Sequence, residues 1–554
     1  MPARSAVPPP GVQFSAGKVP PPAPLPSVDA ASVVVPPVTG PQGGSGGSAG
    51  GPAVDSRAAT PEDPPGTDGA PVARDAAVER APRPPDTTFP EPSAMGMPSI
   101  GTITVNLGTP GLAVPINFVG LSVEWQGLGY LGTGGAANPA TVELFKNFVE
   151  DGHRIDVRMG GNSSDRSWWT VGPGTRPAVA TQSNDATYVS TFRSLYDQTG
   201  SKFIIGTNLS VNDPANPISF IQAVRAGLPP EAITAFEIGN EPDLYGGGPH
   251  RPLGYSVAQY LVEAQRYIDA FVPVAGTAPA LVIPALAGPG WFTGVLPLMT
   301  RNRANLAFAT LHAYPTSTCG RPVGAANYPT PAQLITDAAT IGIGTRFAGQ
   351  ATQARTAGFP LRVAEFNSAA CAGALGASDV FAATLWSSDV LFRLAQAGVA
   401  GVDFHTSGLY AAYKYTDGVL VVNPLYYGMK FFSLATAHGG RLLPVQVTSA
   451  ARVRAFATLG DDGIVRIAVL NEDMTADGAV TVSLSAARGQ GVVSRLKAPG
   501  LTATTGLTLE GRTFDGSPDG LPVGGKAVGL LAPTATSYSF ALPPLSGVVL
   551  AVSR

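Results

Sequence analysis

Between residues 117 and 407 the chain repeats one pattern eight times: a short segment that is almost wholly apolar, followed by a stretch of helix length. The segments are NFVGLSVEW, HRIDVRMGG, KFIIGTNLS, AITAFEIGNEP, ALVIPALAG, LAFATLHAYP, LRVAEFNSA and AGVAGVDFHTS. A strand that is apolar on both faces must be covered on both, and a helix between consecutive strands supplies the crossover that parallel pairing needs. The first three intervening stretches predict helices over 138–151, 184–199 and 215–228. Eight such units in a row predict an α/β fold, a closed (β/α)8 TIM barrel over 115–440. An open doubly wound sheet would carry a Gly-rich phosphate loop after its first strand. Here that strand ends in GLSVEW, with an acidic and an aromatic residue.

The flanks read differently. From 441 to 554 the segments RLLPVQVT, VRAFATL, GIVRIAVLNED, AVTVSL and SYSFALPPLSGVVLAVSR have no helical period and predict an all-β domain, a sandwich. SIGTITVNL, in the 98–114 segment, has the alternation of a strand and is expected to join that domain. Residues 1–97 are rich in Pro, Ala, Gly and Ser, with PPPAPLP and GGSGGSAGG tracts, and are expected to be a disordered tether. Only 13% of residues are charged and the net charge is −3, which argues against a nucleic-acid partner, because phosphate binding needs basic residues to displace counterions. Every apolar run is broken well before the ~20 residues of a spanning helix, so no transmembrane segment is expected. A monomer is expected.

Polar residues gather at the ends of the apolar segments: Glu124, Arg158, Asn240, Glu241, His312, Tyr314, Glu365 and His405. In a barrel these ends share one face, where the βα loops assemble active sites. Two of them suit glycosidic bond cleavage, which needs a proton donor on one side of the anomeric carbon and a second carboxylate on the other. Glu241, in FEIGNEPDLY, ends the fourth strand, and Glu365, in RVAEFNSAACAG, ends the seventh, so the two face each other across the mouth. Glu237 lies a turn deeper and reads as structural, a partner for Arg158. His312 and His405 read as hydrogen-bonding residues. No His or Cys pair has ligand spacing, so neither a metal nor another cofactor is expected.

The two cysteines, Cys319 and Cys371, each lie shortly beyond the end of strands six and seven, which are neighbours in the barrel. A disulfide joining the two loops is the expected state, two free buried thiols the alternative, and a disulfide requires an oxidising compartment. The first residues show no basic region followed by an apolar one, so no secretory signal is visible. An extracellular or periplasmic location is expected from the cysteines despite that.

Taken together, GLSVEW, RMGGNSSD, FEIGNEPD, LHAYP and AEFNSAACAG resemble glycoside hydrolase family 79, the β-glucuronidase and heparanase family of retaining barrel glycosidases. The resemblance runs from about residue 100 to the end and is weakest in the β domain; the run from Arg158 to Asp165 is its most discriminating part. It implies that Glu241 protonates the glycosidic oxygen and that Glu365 forms the glycosyl ester. It further implies that Asn240 binds the sugar 2-hydroxyl, that Tyr314 touches the nucleophile, and that Tyr413 contacts a uronate carboxylate, with Glu124 also among the substrate-binding residues. The sequence departs from the family where relatives carry a Tyr and a Gly-rich turn after the nucleophile. Here the run is Ala369-Ala370-Cys371-Ala372-Gly373, leaving the amides of Cys371 and Ala372, and the Lys414 ammonium, as candidates for the carboxylate. The implied activity is removal of terminal β-linked glucuronic acid, or its 4-O-methyl ether, from a glycan or glucuronide. A xylosidase- or arabinofuranosidase-like enzyme with the same carboxylates is the first alternative, and a non-catalytic carbohydrate-binding protein the second. No basic run lies near a strand end, which argues against endo-action on heparan sulfate.

Overall fold

A computed structural model describes residues 84–554. Eight parallel strands close into a barrel: β1 (Val119–Val123), β2 (Asp156–Met159), β3 (Phe203–Thr207), β4 (Ile233–Ile238), β5 (Leu281–Leu286), β6 (Leu306–Ala313), β7 (Leu361–Phe366) and β8 (Gly401–Thr406). Each pairs with the next in sequence, and β8 pairs with β1 through Val402–Val119 to Thr406–Val123. The helices that follow them are α1 (Pro139–Val149), α2 (Ala186–Thr199), α3 (Ala215–Gly227), α4 (Val257–Ala275), α5 (Phe292–Arg301), α6 (Ile341–Ala357), α7 (Phe381–Gln396) and α8 (Pro424–Ala435). The predicted alternation is therefore the observed one.

Local signals set the helix ends. The Asn138 and Asp185 side chains accept from the amides of Ala140 and Thr187, α4 begins with a Ser256–Gln259 capping box, and α2 stops at Gly200 in the left-handed region. At the barrel end opposite the candidate site, Arg362 is bonded through Nε to Asp403 Oδ2 at 2.6 Å. A Cβ on Gly120 would lie 2.2 Å from Asp403 Oδ1, so β1 passes this buried ion pair only because that position has no side chain.

The β region is a sandwich of two sheets around one apolar core that includes Ile103, Val105, Val480, Val482, Phe540, Ile467, Val548 and Leu550. One sheet orders Val445–Thr448, Ser99–Val105, Gly478–Leu484 and Ser537–Leu542. The strand expected from SIGTITVNL thus sits between two strands of the C-terminal region. The other sheet ends in Thr87–Pro90, paired in parallel with Ala527–Leu530. This strand lies inside the span expected to be a tether, and the adjoining Glu91 forms a buried ion pair with Arg495. Extended backbone suits a Pro-rich stretch, and only a partner more than four hundred residues away turns it into a strand. The rest of the expected tether, 1–83, lies outside the described residues.

The sandwich packs on the barrel through α7 and α8: the Phe392 and Phe456 rings stack at 4.4 Å, and Phe431 packs against the backbone of Gly547. Among the described residues, no helix is long and apolar enough to cross a membrane.

Candidate active site

Glu241 and Glu365 reach the mouth by different backbone routes. Glu365 belongs to β7 itself. Glu241 follows a turn in which Gly239 has φ 73°, where a Cβ would meet Leu209 Cβ at 2.7 Å, and Glu241 itself is left-handed at φ 48°. That conformation costs a non-glycine residue ~1–2 kcal/mol, and it is held by the Glu241 amide donating to Ala285 O at 2.8 Å and by Pro242 opening a short helical turn. Strain of this kind gathers at functional positions.

Arg158, fully buried on β2, organises the floor of the site. Its Nε donates to Glu237 Oε2 at 2.6 Å, Nη1 to Ser122 Oγ and to Glu365 Oε2 at 3.0 Å each, and Nη2 to Asn240 Oδ1 at 2.8 Å. The Arg158–Glu237 pair expected from sequence is therefore present. The Tyr314 hydroxyl donates to the other oxygen of Glu365 at 2.8 Å. Because Arg158 takes Asn240 Oδ1, the amide nitrogen of Asn240 is turned toward the mouth, 3.3 Å from Asn162 Oδ1. The Asn240 backbone is fixed in turn by Asp165, which accepts from the amides of Asn240, Leu209 and Ser210 and from the Tyr245 hydroxyl.

Across from Glu365, Glu241 Oε1 shares a 2.8 Å hydrogen bond with His312 Nδ1. One oxygen from each carboxylate and His312 Nδ1 all lie within 4.8 Å of one another. These three could in principle hold a cation, but Oε1 and Nδ1 already bond each other, which suits proton exchange. Both carboxylates keep a small opening to the mouth, 16% for the Glu241 side chain and 10% for Glu365.

Their proton affinities diverge. Burial alone would raise Glu365, but positive charge at His405, at His312 once acid protonates it, and at Arg158, together with the Tyr314 hydrogen bond, outweighs it and holds the carboxyl well below the usual carboxylate range. Glu241 is pushed well above that range, first by burial and then by the negative charges of Glu365 and Asp243. Burial lowers His312 to about 4, so its imidazole is neutral near pH 7. Asp165 is raised to about 6 by burial, against the hydrogen bonds it accepts. A protonated acid thus faces an ionised carboxylate across a gap open to a ligand, the separation of roles that acid and nucleophile chemistry requires.

Other expected site residues sit elsewhere. The Glu124 oxygens accept from the amides of Asn162 and Ser163 and from the Ser163 hydroxyl, so this carboxylate anchors the loop after β2, with Oε1 3.7 Å from His405 Nε2. Tyr413 is buried, and its hydroxyl donates to Tyr130 O at 3.0 Å. It occupies the inner face of the hairpin Tyr413–Thr416/Val419–Val422, with its ring beside Tyr130 and Tyr415, and does not reach the mouth. Lys414 follows it on the opposite face, paired in register with Val421, and forms no ion pair among the described residues. The tyrosine after β8 that does reach the site is Tyr410, stacked on Tyr314 with ring centroids 6.1 Å apart and 5.9 Å from His405. Sequence reasoning passed over Tyr410, Ser122 and Asp165. Only Asp165 carried a signal, as the acidic residue closing RMGGNSSD.

Cys319 and Cys371 form a disulfide with Cα atoms 5.4 Å apart, joining the loops after β6 and β7 as expected. Cys371 and Ala372 are both left-handed, at φ 62° and 64°, forming a tight turn between Ala370 and Gly373.

A closed (β/α)8 barrel with paired carboxylates at the ends of β4 and β7 and a C-terminal β region is the architecture of a glycoside hydrolase, and the chain is of that class. No family model matches it. In sequence it is similar to a β-glucuronidase of Aspergillus niger, 25% identical over 490 residues, covering 75% of this chain and 87% of the relative. In structure it is similar to a 4-O-α-L-rhamnosyl-β-D-glucuronidase from Fusarium oxysporum, with TM-score 0.67, 21% identity, and coverage of 84% of this chain and 100% of the other. A family GH51 arabinofuranosidase from Xanthomonas axonopodis pv. citri follows, with TM-score 0.61, 17% identity and coverage of 82% and 99%. The chain is thus a homologue of β-glucuronidase on a barrel shared with arabinofuranosidases.

Proposed function

We propose that this protein is a retaining β-glucuronidase of the family 79 type, exported from the cell, that removes terminal β-linked glucuronic acid or its 4-O-methyl ether. The observation that carries the proposal is that the Glu241 and Glu365 carboxyls face each other with oxygens within 4.8 Å, in surroundings that raise the proton affinity of the first and lower that of the second. Retaining enzymes place their carboxyls about 5–5.5 Å apart, against about 6.5–9.5 Å when a water must fit between. Glu365 attacks the anomeric carbon while Glu241 protonates the leaving oxygen. Glu241, now ionised, then takes a proton from the water that releases the sugar. Asn240, whose amide nitrogen gives one hydrogen to Asn162 and keeps a second, serves the 2-hydroxyl, and Tyr314 and Arg158 keep the nucleophile charged between turnovers.

Uronate specificity rests on the β-glucuronidase homologue and on the turn after β7. The amides of Cys371 and Ala372 have no acceptor among the described residues, and consecutive turn amides make an anion-binding concavity. The Tyr410 hydroxyl is the nearby side-chain candidate. The exposed disulfide supports export.

The arabinofuranosidase-like reading is the alternative, favoured by the shared barrel. Comparing aryl β-glucuronide with aryl arabinofuranoside and xyloside as substrates separates the two, and the anomer first released, read by NMR, tests retention. An α-anomeric first product, or a preference for the pentosides, would overturn the proposal.

A further inference from the structure

The turn after β7 is held in an unfavourable shape from three sides. Two successive non-glycine residues, Cys371 and Ala372, are left-handed, a conformation that L-residues adopt singly and at a cost. From the β8 side, the Leu409 amide donates to Ala372 O at 2.8 Å, and Gly408 lies so close that a Cβ there would meet Ala372 O at 2.6 Å. From the β6 side, Thr316 and Ser317 pair in parallel with Ala369 and Ala370, and the Thr318 hydroxyl reaches Ala370 O at 2.9 Å and Cys371 O at 3.0 Å. The third restraint is covalent, Cys371 to Cys319.

These restraints all act on carbonyls or on a side chain. None takes the amides of Cys371 and Ala372, which are left for a ligand. The Thr318 hydroxyl and amide reach the carbonyls of Ala370, Cys371 and Gly373 but are non-covalent contacts from a half-open loop, whereas the disulfide ties the first strained residue covalently to that loop. Both cysteines are exposed, so the bond is accessible to reagents without unfolding.

We infer that the Cys319–Cys371 disulfide is a positioning device for substrate specificity, holding the Ala370–Gly373 turn in the shape whose amides receive the carboxylate of a uronate. The inference rests on the functional reading above. With the bond open, Cys371 relaxes toward the right-handed region, its amide swings away from the anion and affinity for the carboxylate falls. Glu365 lies on β7 and Glu241 just beyond β4, both outside the relaxing turn, so chemistry on a neutral sugar persists.

The test compares oxidised enzyme, enzyme reduced with dithiothreitol, and Cys319→Ser, on aryl β-glucuronide and aryl β-glucoside. Dithiothreitol supplies two electrons and two protons, opening the disulfide to two thiols while itself closing to a cyclic disulfide, and alkylation followed by intact mass counts the thiols. The expected result is a glucuronide-to-glucoside ratio of kcat/KM lowered about tenfold in both opened forms, carried by KM, with glucoside turnover unchanged. If Cys319→Ser fails to fold, the reduced native chain gives the same comparison, and calorimetric binding of glucuronate to it gives a second reading. An unchanged ratio in protein shown to carry two free thiols overturns the inference. An oxidised enzyme that does not prefer the glucuronide overturns the functional reading, and this inference with it.

Discussion

Arg158 Nη1 lies 3.0 Å from Glu365 Oε2 while its Nε lies 2.6 Å from Glu237, so one buried guanidinium neutralises the proposed nucleophile and a deeper carboxylate at once. Replacing it by methionine leaves both carboxylates without their cation, Glu237 fully buried and Glu365 nearly so. Removing one member of a buried pair costs about 3–5 kcal/mol, so Arg158→Met is expected to lower thermal stability sharply, as read by calorimetry. Arg158→Lys keeps a charge but loses the fork that reaches Glu237, Glu365 and Asn240 together. It is expected to fold, to lose about a hundredfold in kcat/KM, and to move the acid limb of the pH profile upward as Glu365 becomes easier to protonate.

The two carboxyl environments set the pH dependence of the native enzyme. In the proposed mechanism Glu365 must be ionised, and its folded pKa is depressed, so that requirement fails only as pH falls through a value below the usual ~4.3 of a glutamate. Glu241 must be protonated, and its folded pKa is raised, so that requirement fails as pH rises through a value well above the same reference. The expected kcat/KM profile is a bell with a very acid lower limb and an upper limb that belongs to Glu241. Glu241→Gln is expected to abolish the upper limb on substrates with activated leaving groups, where the first step needs no acid. An upper limb that persists in Glu241→Gln would assign it to another group.

The barrel was legible because each strand is apolar on both faces and each is followed by a helix-length stretch, a pattern that few other topologies satisfy. Glu241 and Glu365 were legible for the same reason, since a strand-end position needs only the strand to be placed. Arg158 with Glu237 followed from strand parity. Apart from the Cys319–Cys371 disulfide, contacts made by loops were not legible. Tyr413 and Tyr410 are three residues apart on the segment after β8, and whether a phenol points to the mouth or beneath the first loop depends on a helical turn and a hairpin register that no local signal fixes. Glu124 looked like a ligand-binding carboxylate because its captors, the amides of Asn162 and Ser163, lie on another loop. The strand at Thr87–Pro90 was hidden by a composition that suits extended chain with or without a partner.

Gly161 makes the Glu124 anchor possible. It has φ 109°, and a Cβ there would fall 2.5 Å from the Glu124 carboxyl, which is itself held by the next two residues. Gly161→Ala therefore carries both backbone strain and a clash with a buried charged group. The expected outcome is a loss of about 2–4 kcal/mol in unfolding free energy together with reduced kcat, because the same loop carries Asn162, which touches Asn240. Denaturant unfolding and steady-state kinetics read the two effects. A stable, fully active Gly161→Ala would show that the loop has room that the geometry denies it.

The last prediction separates two tyrosines that sequence alone could not. The Tyr413 hydroxyl is buried and donates to Tyr130 O, so deleting it strips one of two side-chain hydrogen bonds from a part-buried carbonyl without touching the mouth. Tyr413→Phe is expected to cost about 1 kcal/mol in stability and to leave the glucuronide-to-glucoside ratio unchanged. Tyr410 is different, since its ring lies against Tyr314 and beside His405, both of which face Glu365. A uronate would bring a second negative charge into a site already holding ionised Glu365, and donors must offset the repulsion. If the Tyr410 hydroxyl is one of them, Tyr410→Phe lowers the glucuronide-to-glucoside ratio, and a hydrogen bond to a charged group at about 1.5–3 kcal/mol sets the fall at roughly tenfold to a hundredfold. A fall in Tyr413→Phe instead, with Tyr410→Phe unaffected, would mean that the hairpin after β8 rearranges to admit substrate. No fall in either would leave the backbone amides of Cys371 and Ala372 as the whole of the carboxylate site, a result that the disulfide comparison would then have to explain unaided.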